Sequence, residues 1–81
     1  MKPEDLLVER VLVSVYPEAD AKARECARQL TVIALGGGLE MNWDEVLRVA
    51  SLPEYRNVQE CKALVRAVAN EFKVKSPCDS P

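Results

Sequence analysis

The stretch 57–73, NVQECKALVRAVANEFK, decides the fold class of this chain. Its apolar side chains recur every three or four residues, which is the period of an α-helix with one buried face. That stripe consists of Val58, Cys61, Leu64, Val65, Val68, Ala69 and Phe72. Asn57 and Glu60 open the stretch as an N-x-x-E sequence, which is typical of a capped helix N-terminus. We therefore predict an amphipathic helix over 58–73, about 24 Å long at 1.5 Å per residue.

The same N-terminal signal occurs fifteen residues upstream. A second N-x-x-E sequence begins at Asn42, and Met41 and Val46 stand where a hydrophobic staple requires apolar side chains. Pro53 disfavours helical geometry in the residue before it, so this helix has to end close to that point. The pattern predicts a short helix over 43–51.

The first half of the chain predicts two further helices, over 3–15 and 17–35, each with proline at its first position. The longer one carries an apolar stripe made of Ala19, Ala23, Cys26, Ala27, Leu30, Ile33 and Ala34. Three consecutive glycines at 36–38 then end it, because glycine readily adopts the left-handed conformation of a helix C-terminus. Several valines near the end of the first helix are β-branched, so a strand over 11–16 is an alternative there.

These elements predict an all-α fold, a small bundle of three to four helices. The length of 81 residues allows one domain, which we place at residues 1–75. The Pro- and Ser-containing segment 76–81 has no core residues and is predicted to be a disordered, flexible tail. The glycines at 36–38 do not form a phosphate-binding loop, because neither G-x-G-x-x-G nor Gly-Lys-Ser/Thr is present.

The composition excludes most catalytic chemistry. The chain contains no histidine, which removes the commonest general base and the commonest metal ligand. Its three cysteines lack C-x-x-C spacing and cannot supply the roughly four ligands of a zinc site. Asp44 and Glu45 are adjacent carboxylates, but acids are ordinary in the first turn of a helix. We therefore predict no enzymatic activity, no cofactor and no metal.

The cysteines are predicted to be structural. Cys26 and Cys61 both fall on apolar stripes, where a free thiol behaves as a small hydrophobic side chain. A Cys26–Cys61 disulfide is an alternative that a reducing compartment disfavours. Cys78 lies in the predicted tail and is expected to be exposed. The sequence assigns no redox role to any of the three.

Nucleic-acid binding is the alternative function. The helices over 43–51 and 58–73 resemble a helix-turn-helix in order, and the second helix would present Arg56, Gln59, Lys62 and Arg66 to a major groove. However, the connection is about six residues long where three or four are usual. The net charge of −2 also argues against strong phosphate binding.

Protein binding is the function that the sequence favours. The segment 32–35 is apolar all round and further apolar residues follow it, more than a small bundle readily covers. We predict partner-binding residues at Val32, Leu35, Leu39, Met41, Trp43 and Tyr55. The partner is another protein or a second copy in a homodimer, and the chain acts as an adaptor, regulator or stoichiometric inhibitor. Acidic residues near the N-terminus and the lack of a long apolar run predict a cytoplasmic location without membrane contact.

Overall fold

The structure is a computed structural model that describes residues 2–15 and 20–77. In these ranges the chain forms four α-helices and no strand: α1 (Pro3–Val15), α2 (Ala21–Leu35), α3 (Trp43–Ala50) and α4 (Val58–Glu71). The predicted all-α class is confirmed. Helix α1 continues to Val15, so the alternative of a strand does not hold for the described part of 11–16.

The hydrophobic core is built around α1, which packs against the other three helices. Its contributions are Leu7, Val8 and Val11, spaced at i, i+1 and i+4 on one face. Around them lie the buried side chains of Ala27, Val46, Val49, Ala50 and Cys61. Most of these side chains are small, which lets the helices approach closely.

Helix α2 begins later than its sequence predicts. Asp20 has extended backbone angles (φ −121°, ψ 106°), and its carboxylate accepts hydrogen bonds from the backbone N–H groups of Lys22 (2.9 Å) and Ala23 (3.2 Å). Asp20 is therefore the N-cap, and the helix starts at Ala21. The predicted helical positions 17–19 lie outside the described residues.

The buried face of α2 is narrower than the predicted stripe. It consists of Ala23, Ala27 and Thr31, at i, i+4 and i+8, with the Thr31 hydroxyl donating to the Ala27 carbonyl oxygen at 2.9 Å. Contrary to the prediction, Cys26 is exposed, and Ile33 is 45% exposed. Both residues lie at the edge of the apolar stripe. Only the centre of the stripe, where the small alanines pack, is covered by other helices.

The cysteine prediction is correct for Cys61, whose side chain is completely buried in the core. Cys26 and Cys61 are both free thiols, so the alternative disulfide does not form. Cys78 lies outside the described residues. Ser76 and Pro77, the part of the predicted tail that the structure describes, are half-buried.

The end of α2 follows the Schellman pattern. Gly37 has a φ of +84°, and its N–H donates to the carbonyl oxygen of Ala34 at 3.2 Å. The N–H of Gly38 donates to the carbonyl oxygen of Ile33 at 2.9 Å. These two hydrogen bonds satisfy carbonyl groups in the last turn of the helix. The left-handed position that they require, occupied here by Gly37, favours glycine.

Helix α4 ends with the same pair of bonds but without glycine. Lys73 has a φ of +57°, and its backbone N–H donates to the carbonyl oxygen of Asn70 at 3.2 Å. The N–H of Val74 donates to the carbonyl oxygen of Ala69 at 2.9 Å. The predicted end at Lys73 is therefore two residues late, since the last helical residue is Glu71. A left-handed lysine carries a steric cost from its Cβ that glycine avoids.

The start of α3 is held by α1. Asn42 is the N-cap and its side-chain oxygen accepts from the Glu45 N–H at 3.2 Å, which confirms half of the predicted capping box. The reciprocal bond is made by a different carboxylate: Glu4, buried in α1, accepts from the Asn42 N–H at 2.8 Å. Glu45 instead pairs with Arg48 on the surface. A carboxylate is favourable at this place because the helix N-terminus carries partial positive charge.

The start of α4 is also held by α1, but not as predicted. Asn57 makes no side-chain capping bond. Its side chain is buried, with 3% of the residue exposed, and its Nδ2 donates to the backbone carbonyl oxygen of Val8 at 3.1 Å. The Asn57 N–H donates to the Ala50 carbonyl oxygen at 3.0 Å. Asn57 therefore ties α4 to α1 and to the end of α3, and the second predicted capping box is wrong.

Candidate interaction surface

The surface between α2 and α4 is organised by one ion pair. Arg28 Nη2 lies 2.5 Å from Glu71 Oε1. Towards the beginning of both helices, Arg24 and Ala67 line the same depression. The Arg28–Glu71 pair therefore joins the middle of α2 to the last residue of α4.

Apolar side chains collect beyond this ion pair. Val32 and Leu35 follow Arg28 at i+4 and i+7, so they share its face of α2, and both are half-buried. Phe72 and Val74 follow the last residue of α4 and are 50% and 46% exposed. We name these four residues, which belong to the C-terminal parts of α2 and α4, the apolar end.

Two residues of the apolar end, Phe72 and Val74, were not among the predicted partner-binding residues, and Phe72 shows why. The prediction placed Phe72 in the buried stripe, because it follows Val68 at helical spacing. In the structure it is the C-cap, with a φ of −98°, and the left-handed Lys73 turns the chain directly after it. Phe72 is therefore 50% exposed. Since lysine occupies the position where glycine is expected, the local sequence carries no signal for this turn.

The six predicted partner-binding residues do not form one surface. Val32 and Leu35 belong to the apolar end, and Leu39 is half-buried in the loop between α2 and α3. The other three pack against the hydrophobic core with part of each side chain exposed: Met41, Trp43 and Tyr55. These three have a structural role whether or not a partner contacts them.

The residues of the nucleic-acid alternative lie near the start of α4. Gln59, Lys62 and Arg66 are at i, i+3 and i+7 and share one side of the helix, where Lys62 is half-buried. Arg56 is exposed in the preceding turn and has a φ of +47°. Helix α3 adds no unpaired cation to them, because Arg48 pairs with Glu45.

A groove separates α4 from α1 and α2. Its volume is about 400 Å³, and apolar or small side chains make up most of its lining: Val11, Val15, Ala27, Ala63, Leu64 and Ala67. Two charged residues, Arg24 on α2 and Glu60 on α4, also line the groove. Neither forms an ion pair with any residue in the described ranges.

The groups with shifted pKa values are members of surface ion pairs. A hydrogen bond from Arg48, together with its positive charge, lowers the pKa of Glu45, and the same hydrogen bond raises the pKa of Arg48. Glu9 likewise raises the pKa of Arg10. Each of these three pKa shifts stabilises the charged form of its own group, as expected for a member of a surface ion pair.

Comparison with known proteins yields no relative: no protein-family model, no curated protein and no solved structure matches the chain. Within residues 2–15 and 20–77, no three metal-ligating side chains come together. No helix in those ranges combines the length and the apolarity of a membrane span. The apolar end and the groove are therefore the features from which a function can be argued.

Proposed function

We propose that this chain is a non-catalytic protein-binding module, an adaptor, regulator or stoichiometric inhibitor that acts on a larger protein in the cytoplasm. The observation that carries the proposal is the exposure of two large apolar side chains at the end of α4, Phe72 and Val74, about half of each residue. Phe72 and Val74 are close in sequence and both exposed, and a contiguous exposed apolar patch is a mark of an interaction site.

The apolar end also indicates what its partner presents. Phe72 supplies the one large aromatic anchor, a residue type that is enriched in protein interfaces. Lys73 and Lys75 are exposed on either side of Val74. An apolar pocket bordered by carboxylates fits this arrangement, because apolar burial supplies affinity while opposite charges at the rim orient the complex.

The test is affinity capture from extracts of the source cells with quantitative mass spectrometry, using wild type and two matched variants. Phe72→Gln removes the aromatic anchor, and Asn70→Gln makes a similar change at an exposed position two residues earlier. We expect a specific partner whose recovery falls at least about tenfold with Phe72→Gln, the effect of losing one hot-spot side chain. Recovery with Asn70→Gln should equal that of wild type. Equal recovery with both variants would remove the apolar end from the proposal.

Salt distinguishes this function from nucleic-acid binding. An apolar interface retains its affinity as salt rises, whereas the logarithm of DNA affinity falls with a slope of about 0.9 per phosphate contact. The variant Lys62→Glu with Arg66→Glu reverses the charge of the helix side that would read DNA. If this variant abolished binding while Phe72→Gln had no effect, the helix-turn-helix alternative would replace the present proposal.

A further inference from the structure

We propose that the end of α4 is a conformational switch: residues 72–75 either form the turn at Lys73 or continue the helix, and partner binding selects the turn. The switch regulates the site of the proposed function, on which this inference rests. Its central residue is Lys73, which has a φ of +57°. A residue with a Cβ is disfavoured in this left-handed conformation, so a right-handed arrangement competes with it wherever the packing around it is weak.

The packing that holds this turn is limited. Phe72 and Val74 are 50% and 46% exposed, and Lys73 and Lys75 are exposed as well. Two backbone hydrogen bonds close the turn, from the N–H groups of Lys73 and Val74. A continued helix replaces them with three, because the N–H groups of residues 73, 74 and 75 each donate to the carbonyl group four residues earlier. The two arrangements are therefore close in free energy.

The residues after α4 set the length of the alternative helix. Neither glycine nor proline occurs in 72–75, whereas Pro77 disfavours helical geometry in Ser76. The continued helix therefore ends at Lys75, about one turn after Glu71. The turn also carries a second cost, because the Ser76 hydroxyl oxygen is buried and has no hydrogen-bond partner among the described residues.

The turn is the arrangement that brings Phe72 and Val74 to one side of α4. The hydrogen bond from the Val74 N–H to the Ala69 carbonyl oxygen, at 2.9 Å, brings Val74 back to Ala69. Ala69 and Phe72 are three residues apart and share one side of the helix. In a continued helix, Phe72 and Val74 are separated by about 200° around the axis and face opposite sides. A partner that contacts both residues therefore selects the turn.

Two substitutions of Lys73 bias the switch in opposite directions. Lys73→Gly favours the turn, because glycine adopts the left-handed conformation without a steric cost. Lys73→Val favours the continued helix, because a β-branched residue is rarely found with a positive φ. Both substitutions remove the lysine charge, so a difference between the two variants reports on the backbone alone.

The first measurement uses NMR backbone carbon chemical shifts of positions 72, 74 and 75 in the isolated protein. In wild type and Lys73→Gly, these shifts should show a helix that ends at Glu71. In Lys73→Val they should become helical as far as Lys75, with the rest of the domain unchanged. Shifts in Lys73→Val that match those of Lys73→Gly would overturn the switch. Unfolding of Lys73→Val would overturn it too, because the turn would then be a requirement of the fold.

The second measurement is recovery of the partner identified by comparing wild type with Phe72→Gln. Lys73→Gly should bind within about threefold of wild type, since it loses one charge at the rim. Lys73→Val should bind about tenfold more weakly than Lys73→Gly, because its binding-competent arrangement is the minor one. Equal recovery with the two variants would overturn the selection of the turn by the partner. A capture that Phe72→Gln leaves unchanged removes the proposed function, whereas matching NMR shifts remove the switch, so the two failures are distinct.

Discussion

The substitution Asn57→Asp separates two possible roles of one side chain. If Asn57 capped its own helix, as the N-x-x-E pattern indicates, aspartate would serve equally well, because both residues are good N-caps. In the structure, however, the Nδ2 of Asn57 donates to the backbone carbonyl oxygen of Val8 at 3.1 Å inside the core. Aspartate has the same shape but places a negatively charged oxygen against that carbonyl oxygen. We therefore predict that Asn57→Asp strongly destabilises the fold.

The expected loss of unfolding free energy at neutral pH is about 3 kcal/mol. Breaking the hydrogen bond contributes roughly 0.5–1.5 kcal/mol, and a buried charge without a partner costs about 3–5 kcal/mol. The positive end of the α4 dipole offsets about 1 kcal/mol of this cost, and partial hydration offsets more. Since a domain of this length has a total stability of roughly 4–12 kcal/mol, the loss is large. It corresponds to a fall in melting temperature of about 12–24 °C.

The assay is urea unfolding followed by circular dichroism, with Asp20→Asn as the matched control. Asp20 is an exposed N-cap whose side chain accepts from Lys22 and Ala23, and asparagine can accept the same bonds. This control should lie within about 0.5 kcal/mol of wild type. If Asn57→Asp also lay within that range, the buried bond to Val8 would not exist as described.

The pH dependence of Asn57→Asp gives a second check of the same explanation. Burial favours the neutral acid, so the folded state raises the pKa of the introduced carboxyl group above its unfolded value. Because the pKa is raised, the charge-burial part of the stability loss is absent in acid, where the group is protonated in both the folded and the unfolded state. The penalty then grows between about pH 4 and pH 7. A stability difference from wild type that stayed constant over this range would refute burial of the charge.

Two further predictions concern the ends of helices and a surface ion pair. Lys73→Gly should stabilise the protein by about 0.5–1 kcal/mol in thermal unfolding, because glycine relieves the left-handed strain at φ +57°. Gly37→Ala, at φ +84°, should instead destabilise it by about 1 kcal/mol. The opposite signs would refute the assigned turns. Arg48→Met should lower stability at neutral pH, since Arg48 lowers the pKa of Glu45 in the folded state. The lowered pKa stabilises above the unfolded value and its effect is lost as pH falls, so the variant and wild type should converge below about pH 4 in urea titrations.

Much of the fold was predictable because helical periodicity depends on local sequence. The buried stripe of α4 was identified correctly from Cys61 to Ala69, since each turn of a helix brings the same face back to the core. The ends were predicted less well. The exact end of α4 depends on Lys73 adopting a conformation that its side chain disfavours, and the packing of the whole domain has to impose that conformation.

The candidate surfaces were only partly predictable, for a related reason. Val32 and Leu35 stood out because their segment is apolar on every side, which a single helix cannot bury completely. The groove has no such local signature. Its lining comes from three helices, and its two charged residues, Arg24 and Glu60, lie on α2 and α4. Registers between helices depend on packing, which a pattern within one helix does not contain.

The two N-x-x-E sequences show where local sequence stops being sufficient. Asn42 and Asn57 open the same motif, yet Asn42 is exposed and caps its own helix, whereas Asn57 is buried and bonds to α1. The difference comes from Glu4 and Val8, two positions one turn apart on α1, which lie 38 and 49 residues away in sequence from the asparagines that they contact. Helix α1 therefore determines how both later helices begin. A change at Asn57 tests this long-range dependence directly, because it leaves the local motif equally good and alters only the contact with α1.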